Sequence, residues 1–272
     1  MDERPLSYTL AVLWAMTAAF LLLLLMNLTV ILRPAAATDI VNLGAVEALA
    51  FTACTFGLVR IYAAGRPARA ALGLRPTAPL LSLLGLLLGV VLQVPVGSLR
   101  KIVEHYSPTP EELLIAKAKL LMVDSTSQLV AVLIITACVA PLVEELFVRG
   151  AMYGALVRTH PVLGAATMSG FCFVAVHWEW RNWLPLMVVA GALSHLRAAS
   201  GSLLPGLALH VSFNAATVLA LFTGYSSVTK PVEFSWPVTL LGWFATAGLV
   251  FAVQRVAQSS SEAAAARIGD LR

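Results

Sequence analysis

The stretch SQLVAVLIITACVAPLVEELFVRGAMYGALV, residues 127–157, decides the fold class. It is longer than the about 20 apolar residues that a helix needs to cross a hydrocarbon core of roughly 30 Å. Yet its second half carries Glu144, Glu145 and Arg149. A charged side chain at membrane depth costs at least about 2.5 to 3.5 kcal/mol, so it usually faces a cavity or a partner. The stretch therefore predicts a membrane helix that contributes to a functional site.

The composition of the whole chain agrees with a membrane protein. Of 272 residues, 59% are hydrophobic and 12% are charged, whereas about 25% are charged in a typical soluble domain. The 18 Lys and Arg residues are scattered between apolar segments and form no basic stripe, which argues against nucleic acid as a partner. Cys54, Cys138 and Cys172 lie in apolar segments without metal-ligand spacing, so we expect small core residues.

Hydropathy predicts an all-α, polytopic membrane protein with about eight transmembrane helices. The predicted spans are 8–32, 40–63, 78–97, 127–157, 162–178, 183–197, 203–223 and 237–256. The first span is too long for the apolar region of a signal peptide, so we expect it to be retained. Before the fourth span, Pro110 and the two glutamates after it predict an amphipathic interfacial helix.

The chain is expected to form one integral-membrane domain over residues 1–272, with a solvated C-terminal tail at about 257–272. We see no internal repeat. The Ala-, Arg- and Leu-rich composition favours a bacterial inner membrane. The oligomeric state cannot be predicted from the sequence.

Spacing separates the two adjacent glutamates. Glu145 and Arg149 are four residues apart on a helix, with the acid on the N-terminal side, which favours an ion pair. Glu144 points about 100° away around the helix and has no basic residue three or four positions away. Its partner is therefore expected from another span.

Two later spans offer such partners. FVAVHWEW carries Phe173 and His177, and LALHVSFNAA carries His210 and Asn214. Members of each pair are four residues apart, so each pair lies on one helix face. Phe173 is expected to be a packing wall.

The depth of these residues can be compared along the chain. If the fourth and fifth spans form an antiparallel hairpin turning near His160, Glu144 and His177 lie at nearly the same level, about 24 Å from the turn. His210 enters from the seventh span at a depth that the sequence leaves open.

A glutamate with two imidazoles and an amide suits hydrolysis by activated water. The glutamate takes a proton from water, one histidine orients that water or protonates a leaving amine, and the other histidine donates with the amide to an oxyanion. Two imidazoles and a carboxylate are also a zinc ligand set, which here would be Glu144, His177 and His210. Residue types and spacing leave both alternatives open.

The three motifs resemble those of a known family. EELFVR, FVAVH and HVSFN match EExxxR, FxxxH and HxxxN of the CAAX-protease and bacteriocin-processing (CPBP) family of glutamic-type intramembrane proteases, which includes the Ras-converting CAAX endoprotease. In this sequence they occur in order on apolar spans, within a core of about residues 125–222.

The resemblance implies an eight-helix intramembrane endopeptidase. Its water would be activated by Glu144 with help from His177, and its oxyanion would be held by His210 and Asn214. Members were long called metalloproteases, but the glutamate and water account needs no structural metal, and we favour it. The expected partners are the lipid bilayer and a peptide or protein substrate, such as a CAAX-like end or a C-terminal sorting tail.

Two other functions remain in competition with proteolysis. A proton-coupled transporter would use Glu144 and the histidines as a relay, although internal repeats would then be expected. A non-catalytic immunity or scaffold protein would keep the motifs for stability alone.

Two further ionisable residues lie near the ends of their predicted spans. Glu47 and His195 are expected to be interfacial.

Overall fold

The computed structural model describes residues 4–34, 36, 39–121, 125–223 and 232–269, with side chains described as far as residue 263. All regular structure in this part of the chain is helical, as predicted. The helices are α1 Tyr8–Leu32, α2 Ile40–Tyr62, α3 Ala68–Ala71, α4 Pro79–Val91, α5 Gln93–Tyr106, α6 Glu111–Leu120, α7 Thr126–Ile134, α8 Ala140–Glu145, α9 Tyr153–Leu156, α10 Val162–Ala175, α11 Trp183–Ser200, α12 Leu204–Phe222 and α13 Trp236–Gly269. Two π-helical segments, Ile135–Val139 and Leu146–Met152, flank α8, and a 3-10 turn, Trp180–Asn182, precedes α11.

Six helical stretches in the described part of the chain are long and apolar enough to cross a membrane. They are Tyr8–Leu32, Ile40–Tyr62, Pro79–Tyr106, Thr126–Leu156, Leu204–Phe222 and Trp236–Ala263. The predicted fifth span corresponds to the shorter apolar helix α10, and the predicted sixth span to α11, which is not among the six. The protein is therefore multi-pass, and the count of eight spans remains a prediction.

Two predicted boundaries differ from the structure. The predicted third span ends at residue 97, whereas the apolar helical stretch runs from Pro79 to Tyr106. The last helix continues to Gly269 through most of the predicted tail, and residues 270–272 lie outside the described part.

The predicted amphipathic helix corresponds to α6. It begins directly after Pro110, with Glu111 and Glu112 in its first turn, where acidic side chains interact favourably with the helix dipole. Its interfacial position stays a prediction.

Helix α4 packs closely on α12 through two glycines spaced four apart. A Cβ atom on Gly85 would overlap the carbonyl oxygen of Pro205, and one on Gly89 would overlap the carbonyl oxygen of Leu209. Small residues at this spacing let membrane helices approach closely. The same contact is held by Gln93, whose Nε2 donates to the Phe213 carbonyl at 2.7 Å. These contacts fix the position of α12, which carries His210.

Helix α2 packs against the helix that runs from Thr126 to Leu156. A Cβ atom on Gly44 would overlap the side chain of Ile135 in the first π segment. Two helical turns further along α2, the Phe51 ring lies 5.5 Å from the Phe147 ring in the second π segment. The face of α2 between these contacts therefore lies against α8.

Substituting Gly89 with alanine should lower the stability of the protein. The added methyl group has no space against the Leu209 carbonyl, and overpacking of this kind costs about 1 to 3 kcal/mol. Thermal unfolding of the purified protein in detergent measures the effect.

Gly248 provides the matched control, because a Cβ atom there meets nothing within 4 Å. Gly248→Ala should leave the unfolding temperature unchanged or slightly raised, since alanine is the better helix former. Equal destabilisation by the two substitutions would contradict the close approach of α4 to α12.

Candidate active site

Glu144 and Glu145 end α8 and are both buried, with exposed fractions of 7% and 0%. The helix passes from α8 directly into the second π segment, so both carboxylates stay inside the bundle. π segments are rare and often occur at functional sites. Both glutamates lie in a membrane span, so their burial must be offset by partners.

The partner of Glu145 is Arg149, as the spacing predicts. The Arg149 Nη1 donates to Glu145 Oε1 at 2.8 Å, and both side chains are almost fully buried. The same carboxylate oxygen lies 3.1 Å from Nδ1 of His210. The sequence did not predict this second contact, which ties α12 to the ion pair.

Arg149 also joins α10 and α11. Its guanidinium carbon lies 4.3 Å above the centroid of the Phe173 ring, within the range of a cation–π contact. Its Nη2 donates to the Ala190 carbonyl at 3.4 Å, and its own carbonyl accepts from Nε of Arg197 at 2.9 Å. One buried arginine therefore contacts both α10 and α11.

Glu144 faces two imidazoles. Its Oε1 lies 4.0 Å from Nε2 of His177, and its Oε2 lies 3.6 Å from Nε2 of His210. The proximity of Glu144 and His177 that the hairpin arithmetic predicts is therefore present. Both separations exceed the range of a direct hydrogen bond. A water about 2.8 Å from each of two such atoms can bridge them.

The other nitrogen of each imidazole identifies the tautomer. Nδ1 of His177 lies 2.7 Å from the Phe173 carbonyl oxygen, which can only accept. Nδ1 of His210 faces Glu145, whose ion pair with Arg149 keeps it an acceptor. Both Nδ1 atoms therefore carry the proton, and in a neutral ring Nε2 is an acceptor. Two acceptor nitrogens and one carboxylate thus converge on one point.

Phe173 forms one wall of this space, as expected. Its ring centroid lies 4.8 Å from the His177 ring and 5.6 Å from the His210 ring. The side chain is 1% exposed. Together with the Arg149 guanidinium behind it, the ring limits the space in which the two imidazoles can move.

Asn214 has a structural partner that the sequence analysis missed. In the first π segment, the N–H of Ala140 donates to the Ile135 carbonyl, five residues back. The next carbonyl in this register, that of Thr136, would accept from Pro141, which has no N–H. Nδ2 of Asn214 instead donates to the Thr136 carbonyl at 2.8 Å. One N–H of the amide is thus used in holding α12 to the π segment, and the second is left for other acceptors.

Glu47 reaches the site from α2, a contact that the sequence did not predict. Its carboxyl group lies within hydrogen-bonding range of Glu144, and His177 and His210 are close enough to act on its charge. Its position near a membrane surface stays a prediction. Gly44, Glu47 and Phe51 share one face of α2, but the sequence does not show which helix this face meets.

The expectation that all three cysteines are small core residues is wrong for Cys138. Its side chain is exposed, whereas Cys54 and Cys172 are buried.

Glu144, His177 and His210 are the side chains that the sequence analysis names for zinc. In the described part of the chain, no group of three or more His, Cys, Asp or Glu residues is arranged to hold a metal ion. Zinc at these residues stays a prediction, and the chemistry below is written with side chains and water.

Comparison with known proteins gives one family-model match, to part of the chain. Residues 126–216, about a third of the 272 residues, match the family model of the type II CAAX prenyl endopeptidase Rce1-like domain. The matched residues include Glu144, His177 and His210. A search of curated proteins and a search of solved structures each found no match.

Removing Arg149 should destabilise the fold strongly. Arg149→Ala leaves Glu145 as a buried carboxylate without its cation, and breaking a buried pair costs about 3 to 5 kcal/mol. Thermal unfolding in detergent measures the loss.

The pair between Lys101 and Glu233 is the control, since its side chains are 56% and 72% exposed. Lys101→Ala should cost no more than about 1 kcal/mol. Similar unfolding temperatures for Arg149→Ala and the wild type would refute the structural role of the buried pair.

Proposed function

We propose that this protein is an intramembrane endopeptidase that hydrolyses a peptide bond with water activated by Glu144, since residues 126–216 match the model of the Rce1-like type II CAAX prenyl endopeptidase family. The observation that carries the proposal is the Glu144 carboxylate facing Nε2 of His177 at 4.0 Å and Nε2 of His210 at 3.6 Å. Residue pairs at these separations suit a bridging water.

The first step is attack by water. Water donates one hydrogen bond to Glu144 and one to Nε2 of His177, which the Nδ1 proton leaves free to accept. Glu144 takes a proton as the water oxygen bonds to the substrate carbonyl carbon, so the carbonyl oxygen becomes an oxyanion. Glu144 is then a neutral acid, and the nucleophile never needs to exist as free hydroxide.

The second step breaks the peptide bond. The proton held by Glu144 passes to the amide nitrogen, the C–N bond cleaves, and an amine and a carboxylic acid form. The acid then gives the second water proton to the amine, so the products leave as an ammonium and a new carboxylate. The oxyanion needs hydrogen-bond donors during this step. We assign these to the second amide N–H of Asn214 and to His210. His210 donates through Nε2 only when both ring nitrogens carry protons, and the Glu145 carboxylate is then its counter-charge.

The setting of the site supports a proposal for the substrate class. Glu144 lies in a membrane span, and His177 lies two residues beyond α10, next to the exposed Trp178 and Trp180. Tryptophans of this kind are enriched at membrane surfaces. We propose that the site receives the end of a membrane-bound or exported peptide or protein, either CAAX-like or a C-terminal sorting tail, in a bacterial inner membrane.

Substitution of Glu144 should abolish cleavage without unfolding the protein. Glu144→Gln keeps the shape of the side chain but removes the base, so kcat should fall at least about 100-fold. His177→Ala and His210→Ala should also lose activity. The assay measures hydrolysis of two quenched-fluorescent peptides by the purified protein, a farnesylated CAAX peptide and an unprenylated C-terminal tail peptide.

His105 supplies a matched histidine control, because it is exposed at the end of α5. His105→Ala should retain wild-type activity, and Glu144→Gln should keep the wild-type unfolding temperature. Full activity in Glu144→Gln would contradict the proposed mechanism.

Chelators should leave the activity unchanged. The proposed mechanism uses side chains and water, so removal of metal ions by EDTA or 1,10-phenanthroline should not slow it. Peptide hydrolysis after prolonged incubation with each chelator tests this expectation. Inhibition that added zinc reverses would show that a metal takes part.

A further inference from the structure

Glu47 brings a second carboxyl group to Glu144 from outside the family match. Helix α2 precedes residues 126–216, so the matched segment does not include Glu47. The side chain is partly buried and contacts the Glu144 carboxyl group at hydrogen-bonding range. Neither the motifs nor the mechanism above gives this residue a role.

The packing of α2 fixes this contact. Gly44, one turn before Glu47, leaves no room for a Cβ atom against Ile135. Phe51, one turn after Glu47, lies with its ring 5.5 Å from that of Phe147. Ile135 and Phe147 flank Glu144 along its own helix. Packing contacts one turn before and one turn after Glu47 therefore hold it opposite Glu144, and its position does not depend on a flexible loop.

Two carboxyl groups in hydrogen-bonding contact cannot both be ionised at low cost. Like charges at this separation repel strongly in an apolar setting, so the pair retains a proton. With that proton, one group donates a hydrogen bond and the other accepts it. The groups that face Glu47 are Glu144, His177 and His210.

The proposed mechanism decides which carboxyl group is ionised. Glu144 is the base that takes a proton from water, so it must be ionised before the attack. Its oxygens lie 4.0 Å from Nε2 of His177 and 3.6 Å from Nε2 of His210, whereas Glu47 reaches the site from α2. The proton shared by the two carboxyl groups therefore belongs on Glu47 and the negative charge on Glu144.

We propose that Glu47 is a positioning residue, whose protonated carboxyl group donates a hydrogen bond to Glu144 and holds that carboxylate between the Nε2 atoms of His177 and His210. This inference rests on the proposed function. The proton of Glu47 stays in place through the reaction, because Glu144 takes its proton from water and returns it to the leaving amine. Glu47 thus orients the base and does not exchange protons with the substrate.

Two substitutions separate this role from a purely structural one. Glu47→Gln retains a donor, because its amide N–H₂ can donate to Glu144. Glu47→Ala removes the donor and frees the Glu144 carboxylate to rotate. A misplaced catalytic group can cost about 100-fold in rate. We expect kcat of Glu47→Ala to fall by roughly that factor with KM unchanged, and Glu47→Gln to restore kcat to within about threefold of the wild type.

The experiment uses the full-length protein in lipid nanodiscs with the farnesylated CAAX peptide and the unprenylated tail peptide. Thr55→Val is the control, since Thr55 is buried on the same helix and its hydroxyl donates only locally, to the Phe51 carbonyl at 2.7 Å. It should leave kcat unchanged. Wild-type kcat in Glu47→Ala would overturn the proposal, as would a Glu47→Gln variant that is as slow as Glu47→Ala.

A second measurement needs no substrate. The infrared difference spectrum between the wild type and Glu47→Gln should contain the C=O stretch of a protonated carboxylic acid, which the variant has lost. Absence of that band would overturn the proposal. Glu144→Gln, assayed in parallel, separates the two claims: activity in that variant refutes the proposed function, whereas an inactive Glu144→Gln beside a fully active Glu47→Ala refutes only the role of Glu47.

Discussion

The site depends on one buried ion pair, between Glu145 and Arg149. A single oxygen of Glu145 accepts from Arg149 at 2.8 Å and lies 3.1 Å from Nδ1 of His210. Arg149 in turn stacks on Phe173 and donates to the Ala190 carbonyl. Because α10, α11 and α12 all meet this pair, the pair sets where the two imidazoles lie. The cost of burying its charges is offset by the contacts that all three helices gain.

The ion pair also explains why two adjacent carboxylates can have different roles. Glu145 is neutralised by Arg149, so it acts as a fixed acceptor that orients His210. Among the residues that the structure describes, no cation lies within direct hydrogen-bonding distance of Glu144, and its two nearest imidazole nitrogens lie 4.0 Å and 3.6 Å away. A base that is not already bound to a cation retains its capacity to accept a proton. The two adjacent glutamates therefore have separate roles: Glu145 is a structural carboxylate, and Glu144 is the proposed base.

Much of this arrangement could be predicted from local spacing. The ion pair follows from a separation of four residues, and the meeting of Glu144 and His177 follows from counting residues on both sides of a hairpin turn. The contacts of Glu47 and Asn214 could not be found this way. The position of Glu47 depends on the rotation of α2 against its neighbour, and the partner of Asn214 exists because Pro141 leaves a carbonyl without an N–H in a π segment. The spacing of residues within one helix predicts neither of these contacts between helices.

The span count illustrates the same limit. Hydropathy places the long spans correctly, because a stretch of 19 or more apolar residues is unambiguous. It is less informative for α10 and α11, where short length and inward-facing polar groups lower the signal. These helices carry Phe173 and contact Arg149, so one part of the site is built on the helices with the weakest membrane pattern.

The most direct test of the central claim, that Glu144 activates water, is a single turnover in ¹⁸O-labelled water followed by mass spectrometry of product and protein. The account predicts one ¹⁸O atom in the new C-terminal carboxylate of the product and none in the protein peptide that contains Glu144. Label in that peptide would mean that Glu144 attacks the substrate itself and forms a covalent intermediate, and would contradict the account.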